Sequence, residues 1–148
     1  MNRKIRIILA AALLLVGIAI YLLFRSGNML VFRLTDLLGL TALLDHGRHA
    51  VSGTALPEWL LFSMPNGLWA MAYILLIDSI FHRQSLPTRM SWAAVIPACG
   101  LLGEMMQALH LLTGTFDWID VAWLTLPYCI YFTISIIFSR LKTYNHED

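Results

Sequence analysis

Residues 103–120 read Gly-Glu-Met-Met-Gln-Ala-Leu-His-Leu-Leu-Thr-Gly-Thr-Phe-Asp-Trp-Ile-Asp. Carboxylates, an amide and an imidazole (Glu104, Asp117, Asp120, Gln107 and His110) gather here in a chain otherwise poor in charge. Carboxyl groups at this density can act as general acids and bases, ligate a hard or borderline cation, or orient a hydrogen-bonding ligand. No strict metal-binding spacing accompanies them, so the sequence leaves a metal or cofactor unassigned. Glu104, Asp117 and Asp120 are the candidate acid/base groups. Gln107 and His110 are candidate ligand contacts.

A helix turns about 100° per residue, which places Gln107 about 60° from Glu104, Gly100 about 40° away and His110 about 120° away. Small and polar side chains therefore share one face, while Leu101, Leu102, Met105, Met106 and Leu109 take the other. Glycines on such a face admit a neighbouring backbone, and the polar groups bond across the contact. A second face of the same kind carries Asn66, Trp69 and Tyr73, just after Pro65. It is expected to meet Glu104 and Gln107 and to complete a pocket. Asp120 directly precedes an apolar run and reads as a helix N-cap. Asp117 lies in a tight turn without such a role and is the stronger mark of function.

The elements that must position these groups follow from composition. Of the 148 residues, 59% are hydrophobic and 13% charged, about half the charged share of a soluble domain. Lipid is the expected solvent for much of this surface. The net charge of +1 speaks against a nucleic-acid partner. Runs of about 20 apolar residues are needed to span a bilayer. They occur at 5–24, 60–81, 91–112 and 121–138. The expected fold is a single all-α integral membrane domain, residues 1–148, with four transmembrane helices. The first run is longer than a signal-peptide core and ends without a small-x-small cleavage site, so it reads as a retained anchor. Cys99 and Cys129 lie inside apolar runs and read as small hydrophobes.

Arg3, Lys4 and Arg6 precede the first run, Arg83 and Arg89 lie in the loop 82–90, and Arg140 and Lys142 follow the last. The turn 113–120 has no Lys or Arg, so both termini are expected on the cytoplasmic side and the acidic turn outside. The outer loop 25–58 carries Arg25, Arg33 and Arg48, and its leucine-rich part, residues 29–44, suits an interfacial or re-entrant segment. His46 and His49 stand three apart, but Gly47 between them favours a loop. Asp78 is explained by an ion pair with Arg83 or by reaching the membrane surface. The tryptophans Trp59, Trp69, Trp92, Trp118 and Trp123 form an aromatic belt.

Glu104-Met-Met-Gln107, followed by a turn with Phe116-Asp117 and then Asp120, resembles the VanZ-like family of small bacterial membrane proteins. The family's turn arginine is replaced by Thr113 and Gly114, its earlier lysine and histidine by Asn66 and Trp69, and its Asn and Gly of the last helix by Leu124 and Pro127. Tyr73 matches. The resemblance covers residues 60–138 and implies an inner-membrane location and a link to glycopeptide and lipoglycopeptide sensitivity, without a defined reaction. It therefore leaves enzyme activity open. The resulting expectation is an outward-facing polar pocket that acts on or binds a lipid-linked or amphipathic cell-envelope molecule. The alternative is a non-enzymatic scaffold or subunit with a membrane-protein partner, in which the same polar faces serve helix packing.

Overall fold

The structure is a computed structural model that describes residues 2–24 and 30–144. It is all-helical among the described residues: α1 Arg3–Phe24, α2 Leu30–Leu37, α3 Thr41–Val51, α4 Glu58–Phe62, α5 Met64–Ile80, α6 Leu86–Ala93, α7 Val95–Ala108 and α8 Trp118–Tyr144. The 22-residue α1 and the 23-residue stretch Trp118–Arg140 of α8 are long and apolar enough to cross a membrane. The other two expected spans are each broken once.

Proline explains both breaks. Pro65 has no N–H to donate to Leu61, and Pro97 has none for Ala93, so the ladder lapses one turn upstream of each. Ser63, between α4 and α5, has φ −99° and ψ −40°, and Ala94, between α6 and α7, has φ −75° and ψ −17°. Both remain near right-handed helical geometry, so the axis bends while the chain keeps its direction. Two tyrosines support the second break. Tyr73 donates to the Trp92 carbonyl at 2.8 Å, and Tyr128 donates to that of Met90 at 3.3 Å.

Helix α5 is central and packs on α1 and α8. Its buried side chains are mostly small: Gly67, Ala70, Ala72 and Ser79 alongside Ile74. The pairing of Arg6 with Asp78 and of Tyr21 with Trp69 makes α1 antiparallel to α5. Contacts of Gly67 with Trp123 and of Asp78 with Tyr131 make α5 and α8 parallel. Helix α7 meets α8 through Gly100 and Leu124 and runs antiparallel to it.

Gly67 lets α8 come close to α5 through its backbone as well as a side chain. A Cβ there would lie 2.7 Å from the Trp123 ring and 2.8 Å from the Trp123 carbonyl oxygen. Pro127, four residues on, cannot supply the N–H that this carbonyl would otherwise accept. The freed carbonyl thus points at the one kind of residue that lets a second helix reach it. Trp69 lies against Gly17 of α1 in the same manner.

Between α1 and α4, the expected interfacial segment forms two short helices; its first residue, Met29, and Arg25 lie outside the described residues. Helix α2 ends in a Schellman motif, with Gly39 at φ 68° and bonds from Leu40 to Thr35 and from Gly39 to Asp36. The segment 45–49 is helical, contrary to the loop expected from Gly47. A side chain at Gly47 would press on Leu23, with a Cβ 3.0 Å from its Cδ2. Glycine serves there to seat α3 on the end of α1, where Arg48 Nε donates to the Leu22 carbonyl at 2.9 Å. His46 and His49 are exposed on that helix.

Gly103 lines no such contact, since a Cβ there meets nothing within 4 Å. Gly67→Ala is therefore expected to cost about 1–3 kcal/mol by overpacking, and Gly103→Ala almost nothing. Thermal unfolding of the two purified variants checks this.

Candidate functional site

The helix face that carries Glu104 turns inward as its spacing demands. Glu104 is 8% exposed, whereas Leu102, Met105 and Leu109 are 55%, 56% and 62% exposed. This inverts the arrangement of a helix on a soluble protein, in which the apolar side faces the core.

The carboxylate of Glu104 accepts a hydrogen bond from the Asp117 backbone N–H at 3.2 Å. Asp117 in turn accepts from the Ile119 N–H at 2.8 Å. Asp117 therefore occupies the N-cap of α8, with Ile119 as its second residue, and Asp120 is the third. In a capping box the third residue takes the N-cap N–H. Here Glu104 takes it from another helix, and Asp120 Oδ1 is left buried with no hydrogen-bond partner among the described residues. This corrects the sequence reading: Asp117, not Asp120, caps the helix, and the residue thought to lack a structural role has one.

Gln107 lies over the same turn. Its amide packs on Gly114, where a Cβ would come within 2.9 Å of Cδ and Nε2 and where φ is +136°. His110 also acts through its backbone. It stands at φ 57°, its N–H donates to Gln107 at 3.0 Å, and the Leu111 N–H reaches the Met106 carbonyl at 2.8 Å. That is the second Schellman motif of the chain, with histidine in the place that Gly39 fills in the first. The imidazole itself is exposed.

The second expected face does not join this group. Tyr73 bonds to the α6 carbonyl of Trp92, and Trp69 packs between Gly17 and Tyr21, with its Nε1 buried and unpaired among the described residues. Trp69 thus belongs to the α1–α5 contact and not to an aromatic belt. Asn66 is half-buried, and no hydrogen bond links it to Glu104. Among the described residues, no group of three or more His, Cys, Asp or Glu is arranged to hold a metal ion.

A concavity lies at the opposite end of the bundle. Asp78 is 5% exposed and is held by three other helices. Arg6 of α1 pairs with Oδ2 and also reaches the Asp78 carbonyl at 3.3 Å. Arg89 of α6 pairs with Oδ1, its Nε at 2.9 Å, and Tyr131 of α8 donates to the same oxygen at 2.9 Å. The expected partner, Arg83, is exposed and takes no part. Beside this network is a cavity of about 760 Å³ whose walls include Leu9, Leu13, Ile74, Ile130, Ile134 and Phe138. Sequence reading missed it because Arg6 and Asp78 are 72 positions apart. The available signal was Arg6, a cation one turn inside an apolar helix.

Comparison with protein-family models, curated proteins and solved structures gives no match.

Three expectations follow. Glu104→Gln and Asp117→Asn keep an acceptor oxygen in place and should each change stability by less than about 1 kcal/mol, whereas Asp117→Ala removes the cap and costs about 1–2 kcal/mol. His110→Gly should preserve or raise the unfolding temperature, and His110→Val should lower stability by about 1–2 kcal/mol. At the other end, Asp78→Asn leaves two guanidiniums without a counter-charge and is expected to cost about 3–5 kcal/mol. Chemical or thermal denaturation in detergent measures each difference.

Proposed function

We propose that this chain is a four-pass protein of the bacterial cytoplasmic membrane, with both termini inside, that holds an amphipathic envelope molecule between its helices. The cavity beside Asp78 carries this reading: its walls are apolar and its end is charged. A space of about 760 Å³ falls within the range of small-molecule sites.

The topology has its own support. Residues 58–80 and 86–108 each form one bent helical passage about 34 Å long at 1.5 Å per residue, enough for a hydrocarbon core of about 30 Å. Arg6, Arg83, Arg89 and Arg140 fall at one end of the bundle, while the turn from Leu109 to Asp117 has no Lys or Arg. That asymmetry, reduced but not reversed by Arg25, Arg33 and Arg48 of the loop 25–58, favours a cytoplasmic arginine end. The likeness of Glu104, Gln107, Phe116, Asp117 and Asp120 to the VanZ-like motif makes lipoglycopeptide sensitivity the first phenotype to examine. That likeness adds a second, separate candidate contact at the acidic turn, at the other end of the bundle from the cavity.

A scaffold role is the second reading. It is favoured by the way Glu104 and Asp117 are already engaged in joining α7 to α8.

Topology is tested with single cysteines in a background lacking Cys99 and Cys129. In spheroplasts an impermeant maleimide should label Thr115→Cys, and should label Gln84→Cys only after lysis. The reverse pattern would overturn the orientation. For function, Glu104→Gln combined with Asp117→Asn should abolish a resistance phenotype at unchanged membrane abundance. Full resistance in that double variant would exclude a ligand role for the outer turn, and stoichiometric co-purification of another membrane protein would then support the scaffold.

A further inference from the structure

We propose that the cavity bounded by α1, α5, α6 and α8 is a site for an anionic phospholipid, with its phosphate on Arg6 and Arg89 and an acyl chain along the apolar walls. The inference rests on the four-pass reading and deepens it by naming the headgroup and the leaflet.

Charge comes first. The cavity lining holds two guanidiniums and one carboxylate, that of Asp78, so one positive charge is unmatched among the lining residues. Asp78 is already saturated, with Oδ1 accepting from Arg89 and Tyr131 and Oδ2 from Arg6. The arginines are not. A guanidinium has five N–H donors; among the described residues Arg6 bonds through Nη1, and Arg89 bonds Asp78 through Nε and Nη2. Their side chains are 19% and 22% exposed and both residues line the cavity, a poorly hydrated setting for donors left over. An oxyanion with several acceptor oxygens matches that arrangement, and arginine forks suit phosphate.

Depth comes second. From Arg6 to Leu13 and from Asp78 to Met71 the helices climb about 10 Å, at 1.5 Å per residue. From Phe138 to Ile130 the climb is about 12 Å by the same measure. All these residues line the cavity. The charged end thus lies at one membrane surface, and the apolar walls extend toward the midplane, as the head and chain of one lipid do. A free phosphate would leave those walls unused, and a zwitterionic lipid would not supply the net negative charge.

Headgroup dependence tests the proposal on the full chain. The protein is purified in a neutral detergent, delipidated, and titrated with phosphatidylglycerol, with phosphatidylcholine of the same chains, and with inorganic phosphate. Native mass spectrometry and the unfolding temperature serve as readouts. Phosphatidylglycerol should bind one-to-one, at least about tenfold tighter than phosphatidylcholine, and raise the unfolding temperature. Inorganic phosphate at millimolar concentration should produce no shift. Ile134→Trp fills the cavity away from the arginines. It should lose the bound lipid while unfolding at the wild-type temperature in lipid-free detergent. Leu13→Phe is the second variant if that one does not fold.

Equal binding of the two lipids would overturn the headgroup assignment while leaving an amphiphile site in place. Unchanged lipid retention in the filled variant would overturn the cavity as the site. Inorganic phosphate acting as well as phosphatidylglycerol would overturn the lipid. Retention of no amphiphile at all would remove both this inference and the proposed function.

Discussion

The carboxylate of Asp78 is the interaction on which the rest of the bundle depends. It belongs to the central helix, is almost wholly buried, and is held by one side chain from each of three other helices. Removing a charge from water costs several kcal/mol unless partners compensate. Here compensation requires α1, α6 and α8 all to be in place. The network therefore specifies which helices surround α5 and in which direction each runs, more than it adds to net stability. A hydrophobic residue at the same place would pack without selecting its neighbours.

Away from Asp78 the helices are held by closeness. Trp69 of α5 lies against Gly17 of α1, and Gly67 of α5 lies against α8. Pro127 leaves the Trp123 carbonyl free where Gly67 lies against it, and Tyr73 and Tyr128 donate to the Trp92 and Met90 carbonyls of α6, in the turn ahead of Pro97. In an apolar surrounding, backbone polar groups left unpaired by proline must be satisfied by neighbours. At the acidic end, the N–H left free at the start of α8 is taken by Glu104 of α7.

Much of this is legible in the sequence. The sorting of Glu104, Gln107 and Gly100 from Leu102 and Met105 gives the buried face of α7, because periodicity reports which side a helix hides even when the hidden side is the polar one. The apolar runs give α1 nearly to its ends and the middle of α8, which begins three residues before 121 and continues six beyond 138. What the sequence does not give is pairing. Asn66, Trp69 and Tyr73 fall on one side of their helix, yet they meet three different surroundings, because rotation about the axis and the choice of neighbour are set by contacts such as Gly17 with Trp69. Spacing alone also misassigns the cap of α8. A helix start fixed to within three residues leaves both Asp117 and Asp120 eligible, and only the Ile119 N–H decides between them. His110 looked like a side chain with chemistry, whereas its left-handed backbone is what the fold uses.

The two ends of the molecule now differ in kind. At the acidic end, Asp117 and Glu104 are committed to holding the α7–α8 turn, and the surplus is one buried oxygen of Asp120. At the arginine end the surplus is cationic, and it faces an apolar space in place of another helix. A helix cap is complete within the protein, so a ligand meeting the acidic turn must compete with backbone donors already bound. The arginine end asks for no such exchange. Its unused donors and apolar walls gain a partner without the fold losing one. For that reason the stronger site lies where the sequence has few polar residues, assembled from positions that only the folded bundle brings together.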